Sequence, residues 1–316
     1  MSDLHYPFGW DPLLALRTSI FVPHFTRNLI KHDYRGGLLE GGSFSGRVRV
    51  AAYDSFISLL LDGYSELAGH QVRPQTGGLI VRLNRLVAAI DDEYEARLAD
   101  HRSLDFADVL GASQVQAKLV QFGDFLKPYP ERRAIRNFLY ERVEQNYHTY
   151  VSLSASDASK QDSDWHFQTA LLDSGGLSEC LAHVIGLFHG QPVAEEVAGQ
   201  FFVFGMMGKL ADDVIDFWDD LAANRANLLL GMLHSHPAEQ KKVEEWAPSI
   251  PGTAIRHGLR WWRRTCPESY ADAADLVRDH RARLTSPKIL LACDLVLLPA
   301  WYGRIVTSSP TIGLHR

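Results

Sequence analysis

The chain is poor in cysteine, in clustered positive charge and in long unbroken apolar runs, and each shortage excludes something. Three cysteines in 316 residues, Cys180, Cys266 and Cys293, stand too far apart for a metal-ligand pattern or a disulfide framework. They suit a reducing compartment, and a cytoplasmic location is expected. A net charge of −6, with Lys and Arg scattered, argues against a nucleic-acid partner. No stretch reaches the ~18 consecutive apolar residues of a spanning helix, so no stable membrane insertion is expected. The nearest approach, ILLACDLVLLPAWYGRIV, is interrupted by Asp294, Pro299 and Arg304 and reads as a buried helix. The opening MSDLHYPFGWDPLL lacks the basic-then-apolar pattern of a signal peptide. Histidines at metalloprotease spacing, a G-x-S-x-G elbow and a glycine-rich phosphate loop are all missing.

What is present is helical periodicity. RVRVAAYDSFISLLLDGYSEL, GLIVRLNRLVAAIDDEYEARL and RRAIRNFLYERVEQNYHTYVSL repeat apolar residues every three or four positions. Breakers at Gly77-Gly78, Pro128, Pro130, Gly175-Gly176, Gly190 and Pro192 divide the pattern into roughly ten helices of typical length. Alternation of strand length is rare. The expectation is one all-α domain over residues 1–316, a helical bundle around a central cavity.

Two acidic clusters interrupt this apolar pattern. In AAIDDEYEARL, Asp91 and Glu95 share a helix face at i, i+4, and Asp92 neighbours Glu95 at i, i+3. In FGMMGKLADDVIDFWDD, Asp212, Asp216 and Asp220 recur every fourth residue and drift only about 40° per step, so they keep one face. Asp213 joins Asp216 at i, i+3. Like charges at such spacings weaken a helix by about 0.2–0.5 kcal/mol per pair, and crowded carboxylates resist ionisation. Divalent cations reverse that penalty. Mg²⁺ is a hard ion that takes one or two carboxylates, waters and a substrate's phosphates. Two carboxylate faces opposed across a cavity would hold a diphosphate through such ions. The plain alternative is a pair of solvated acidic faces.

These residues carry a resemblance. QTALL at Gln168–Leu172, followed by FGMMGKLADDVID at Phe204–Asp216, resembles the second half of trans-prenyl diphosphate synthases and, more broadly, the class I isoprenoid synthases. Asp91-Asp92-x-x-Glu95 lies where that family has its first aspartate-rich motif. Asp91/Glu95 with Asp212/Asp216/Asp220 also resembles the squalene and phytoene synthase pattern. The chain departs from the elongating enzymes at several points. The family's KTA lysine is Gln168, its glutamine before the second motif is Lys209, and paired arginines do not follow the first motif. The isopentenyl-diphosphate segment is reduced to GGSFSGRVRV.

Metal-binding elements retained and a basic pocket lost together imply an enzyme with one diphosphate substrate. The resemblance therefore implies a bacterial-type class I terpene cyclase, which ionises a linear prenyl diphosphate with three Mg²⁺ and lets the cation cyclise. Asp91, Asp92, Glu95, Asp212, Asp213, Asp216 and Asp220 would be the metal ligands, with Asp91, Asp92, Asp212 and Asp216 central to catalysis. Lys209, Arg225, Tyr302 and Arg304 would meet the diphosphate. Trp165, Phe167, Phe201, Phe204 and Trp301 would present aromatic faces to a cation, and Gly175-Gly176 would mark a helix break that turns carbonyls toward it, or a plain helix boundary. Small residues along the pocket helices favour geranylgeranyl over farnesyl diphosphate. The resemblance also allows a homodimer. The alternatives are a prenyl-condensing transferase and an inactive regulatory subunit.

Overall fold

The computed structural model describes residues 44–154, 163–246 and 258–302. Among these residues there are thirteen α-helices, one π-helical turn and no strand, an all-α fold. The first five helices are α1 (Phe44–Ala68), α2 (Thr76–Ala99), α3 (Phe106–Gly111), α4 (Ser113–Leu126) and α5 (Arg132–Ser154). Next come α6 (Ser163–Ala170), the π-turn (Leu171–Gly176), α7 (Leu177–Phe188) and α8 (Glu195–Ala223). The last five are α9 (Leu228–His234), α10 (Pro237–Trp246), α11 (Leu259–Thr265), α12 (Pro267–Ala282) and α13 (Pro287–Tyr302).

The count exceeds ten because short helices occupy segments that periodicity cannot resolve. Two expected breakers behave differently from the sequence pattern. Gly77 and Gly78 fall inside the first turn of α2 instead of before it. Gly175-Gly176 makes neither a break nor a boundary. The backbone stays right-handed at Ala170, Gly176 and Leu177, and the helix passes from α6 to α7 through a π-turn. The run Ser163–Phe188 is consequently long and apolar enough to cross a membrane by length and composition, which the sequence reading did not anticipate. Within the bundle its segments pack against α5, α8 and α9.

Helix α8 is the axis of the bundle. It packs against α7, the π-turn, α9 and α13. Its inward stripe, Val197, Phe201, Val203, Met206, Met207, Leu210, Val214 and Phe217, is almost wholly buried. The stripe follows the 3.6-residue period that the apolar run announces. Asn224 ends the helix in the left-handed conformation (φ 54°), which asparagine tolerates better than most residues. The closest helix approach occurs at Gly205. A Cβ there would stand 2.1 Å from the Ser174 carbonyl oxygen and 2.5 Å from Ser178 Oγ. Glycine at this position lets the π-turn lie directly on α8.

Polar contacts fix the remaining helices. Asp294, which interrupts the apolar run of α13, is buried and ion-paired with Arg281 of α12. Glu239 of α10 caps α12 from outside its own chain segment. Its carboxylate accepts the Glu268 and Ser269 N–H groups, each at 2.9 Å, and the Ser269 hydroxyl at 2.7 Å. His236, in the turn before α10, bonds Asp272 at 2.7 Å and pairs with Glu268 at 3.1 Å.

Substituting Gly205→Ala is expected to destabilise the fold by about 1–3 kcal/mol, because a backbone carbonyl must move. Gly208→Ala on the same helix, with open space around the new methyl, is expected to stabilise by about 0.5–1 kcal/mol. Urea denaturation of both variants checks the contrast, and equal effects would remove the close-approach explanation. At Glu239, burial raises the carboxyl pKa but is outweighed by the Glu268 and Ser269 hydrogen bonds, leaving it below the ordinary value. A depressed carboxylate contributes stability above its unfolded pKa of about 4.3 and loses it as pH falls. Glu239→Gln is expected to be less stable at neutral pH, by about 1–3 kcal/mol, and to lose less stability than the parent between neutral pH and pH 3 in parallel melts.

Candidate active site

Helix α2 brings the first acidic cluster to the mouth of a cavity. Ile90 and Tyr94 face inward, so Asp91, Asp92 and Glu95 fall on the outward side of the same turn. Glu93 points inward and is buried. It is held by Arg97 at 2.7 Å, Gln114 at 2.9 Å and Arg102 at 3.5 Å. Arg97 also donates to the carbonyls of Ser103 at 3.1 Å and Asp108 at 2.9 Å. Both arginines that follow the first cluster are therefore engaged in building the α2–α3 connection.

The cavity lies between α2, α5, the π-turn and α7. It is open to solvent on one side. Val87, Ile90, Val143, Leu172 and Leu177 give it an apolar wall, with Tyr94 and Tyr147 as aromatic faces. The polar lining is Asp91, Asp173 and Asn146. The Asn146 Nδ2 is buried without a hydrogen-bond partner. Tyr147 donates its hydroxyl to the Leu104 carbonyl at 2.9 Å, so its ring is fixed. Shielding from solvent, then the neighbouring carboxylates Asp173, Glu95 and Asp92, push Asp91 up to about 6. Lys209 opposes this shift.

The π-turn places Asp173 between the two acidic helices. Lys209 of α8 reaches it at 3.3 Å and reaches Asp213 at 3.0 Å. Burial of Lys209 disfavours its charge, but Asp213 and Asp173 outweigh this and keep it protonated. Asp213 is fully buried. Its Oδ2 accepts the Leu228 N–H at 2.7 Å, fixing the start of α9. Burial raises its carboxyl to about 7 against the pull of Lys209 and that hydrogen bond. Asn227 completes the arrangement. Its Oδ1 caps α9 through Leu229 and Leu230, and its Nδ2 donates to the Asp213 carbonyl and to Asp220 Oδ2, both at 2.9 Å. Asp220 is raised by burial, with Asn227 pulling the other way.

The seven expected metal ligands thus have different settings. Asp91, Asp92, Glu95 and Asp212 are exposed, Asp216 and Asp220 half-buried, and Asp213 interior. Glu95 meets Arg225 at 3.2 Å, which joins the segment after α8 to the first cluster. Of the expected diphosphate ligands, Arg225 is thus paired with a carboxylate of the first cluster. Lys209 has its charge taken up by two carboxylates, an arrangement that the sequence pattern did not suggest. Arg304 lies outside the described residues, as do the side chains of Trp301 and Tyr302.

Of the expected cation-facing aromatics, Trp165, Phe167, Phe201 and Phe204 are not among the residues that line this cavity. Phe201 is core, edge-on to Tyr64 at 6.1 Å. Phe204 and Phe167 are half-buried, and Trp165 packs edge-on against His166 at 4.8 Å. Gly175 and Gly176 belong to the turn that delivers Leu172 and Asp173, and the Phe202 ring fills the space beside Gly175.

Residues that the motifs missed are Asp173, Asn227, Asn146, Tyr94 and Tyr147. Asn227 had a readable signal, a capping residue before LLLGML. Asp173 had a weaker one, a single carboxylate in LLDSGG. Among the described residues, no three His, Cys, Asp or Glu side chains are grouped so that together they could hold a metal ion. The donor set is nevertheless the hard-oxygen kind suited to Mg²⁺, which needs only one or two protein carboxylates when a phosphate supplies the rest.

Comparison with protein families gives no match, and neither does comparison with curated proteins. Among solved structures, the chain is similar to a polyprenyl synthase from Roseobacter denitrificans at 12% identity and a TM-score of 0.42, over 93% of this chain and 92% of that one.

Lys209→Met is expected to destabilise the protein by about 3–5 kcal/mol, because it strands Asp213 as a buried carboxylate. Adding Asp213→Asn should restore part of the loss. A double-mutant cycle by urea denaturation measures this coupling, and strictly additive effects would show that the pair is not an energetic unit.

Proposed function

We propose that the chain is a Mg²⁺-dependent class I isoprenoid-type enzyme that ionises one linear prenyl diphosphate and cyclises the resulting cation. The observation that carries this reading is the apolar cavity with carboxylates at its mouth. Asp91 and Asp173 line it, and Glu95, one turn on from Asp91, pairs with Arg225. A hydrocarbon chain suits the wall of valine, leucine, isoleucine and tyrosine. A diphosphate suits the rim only with metal, because the carboxylates would otherwise repel it.

Asp91, Asp92 and Glu95 on one helix and Asp212, Asp216 and Asp220 on the other would hold the ions. When bound, Mg²⁺ supplies Lewis-acid polarisation of the leaving diphosphate. Arg225 would accept part of the diphosphate's charge by exchanging Glu95 for phosphate oxygens. Tyr94 and Tyr147 present ring faces that attract a cation by about 0.5–2 kcal/mol, and the apolar wall keeps water from quenching it. Lys209 and Asp213 hold α8, the π-turn and α9 in register, and would thereby position the second carboxylate face.

A condensing transferase needs a second, basic diphosphate site. The engagement of Arg97 and Arg102 with Glu93 favours the single-substrate reading.

Purified protein with Mg²⁺ and geranyl, farnesyl or geranylgeranyl diphosphate, each with and without isopentenyl diphosphate, is expected to release diphosphate and a cyclic terpene from one prenyl substrate alone. Gas chromatography–mass spectrometry reads the product. Asp91→Asn is expected to lower turnover at least about 100-fold with an unchanged melting temperature. Products that lengthen only with isopentenyl diphosphate would replace the cyclase reading with a transferase. Absence of both turnover and Mg²⁺-dependent diphosphate binding would favour a regulatory subunit.

A further inference from the structure

The turn between α1 and α2 is closed by side chains from distant parts of the chain. His189 ends α7, its own N–H donating to the Ile185 and Gly186 carbonyls at 3.1 and 2.9 Å. Its ring stands edge-on to Phe188 at 6.0 Å and reaches the turn. The Arg73 backbone N–H donates to His189 Nε2 at 3.3 Å, and the Thr76 hydroxyl lies 3.2 Å from the same nitrogen. One residue earlier, the Val72 N–H donates to Ser65 Oγ at 3.3 Å. The Arg73 guanidinium pairs with Glu131, just before α5, at 2.9 Å and lies over the Phe188 ring at 5.2 Å. The Arg73 carbonyl accepts the Thr76 N–H at 2.9 Å, where α2 begins. None of these residues is among those that line the cavity.

A backbone amide can only donate. The Arg73 contact therefore requires a bare lone pair at His189 Nε2, which means a neutral imidazole with its proton on Nδ1. We propose that His189 is a pH-sensitive latch, closing the α1–α2 turn while neutral and releasing it on taking a proton at Nε2. The proton turns the acceptor into a second donor facing the Arg73 N–H, which loses its partner. Of the two contacts, only the Thr76 hydroxyl can reverse its role. The surroundings also resist the charge. Shielding from solvent, then Arg73, then His70 with its ring 5.5 Å away, hold His189 below the ordinary histidine value. Glu131 alone favours the proton, and its Oε1 is already bonded to Arg73. Opening the turn returns His189 to about 6.5. The open form therefore binds the proton more readily and gains population as pH falls below that value. The latch involves no catalytic step and stands independently of the proposed reaction.

Hydrogen exchange of the full chain, read by mass spectrometry as protection factors at about pH 7.5 and 5.5, tests this. Peptides covering residues 70–80 are expected to lose about five- to tenfold of their protection at the lower pH, because one proton shifts the equilibrium by at most about tenfold per pH unit. Peptides from the buried stripe of α8 should keep theirs. His189→Gln, whose amide oxygen offers a lone pair that takes no proton in this range, is expected to abolish the pH dependence over residues 70–80. In the parent chain, the His189 ring proton resonance is expected to titrate below about pH 6.5. No change over residues 70–80, a loss shared equally by α8, a pH dependence that survives His189→Gln, or a His189 titration at or above the ordinary value would each overturn the proposal.

Discussion

The Lys209 ammonium, enclosed between Asp173 and Asp213, ties α8 to the π-turn that lines the cavity. A buried cation needs its counter-charges in place, and these come from two separate elements, α8 and the π-turn. Asp213 extends the constraint by accepting the first N–H of α9. Asn227 extends it again by joining Asp220 to the Asp213 carbonyl. The carboxylate-bearing end of α8 is therefore held by desolvated polar contacts that tolerate little displacement. A solvated acidic face would have no such requirement.

The π-turn is the geometric counterpart of this ionic contact. Six residues, Leu171–Gly176, widen the helix, and π-helical insertions of this kind recur at functional sites. The insertion puts Asp173 on the cavity side. Gly205 allows the turn to rest on α8 at a distance no side chain would permit. Backbone shape and side-chain charge thus specify the same register between two helices.

The last helices are organised by different means. Glu239 and His236 dock α10 on α12, and Trp262 anchors α11 to Phe217 of α8.

Periodicity by itself determined the all-α class and the buried stripe of α8, because a helix repeats every 3.6 residues and a one-sided core imprints that repeat on the sequence. It also showed that Asp212, Asp216 and Asp220 share a face and that Asp91 stands over Glu95, since these are relations within single helices. Tertiary structure alone decided what each carboxylate does. Asp213 looks like its neighbours in ADDVIDFWDD, yet it is interior and paired with Lys209. Asp173 and Asn146 carry no motif and still line the cavity. Phe201 and Phe204, aromatic and well spaced, are not among its lining residues. Which face of a helix meets which neighbour depends on contacts between residues far apart in the chain. A π-turn depends on how that helix must lie against α8, and local spacing contains neither.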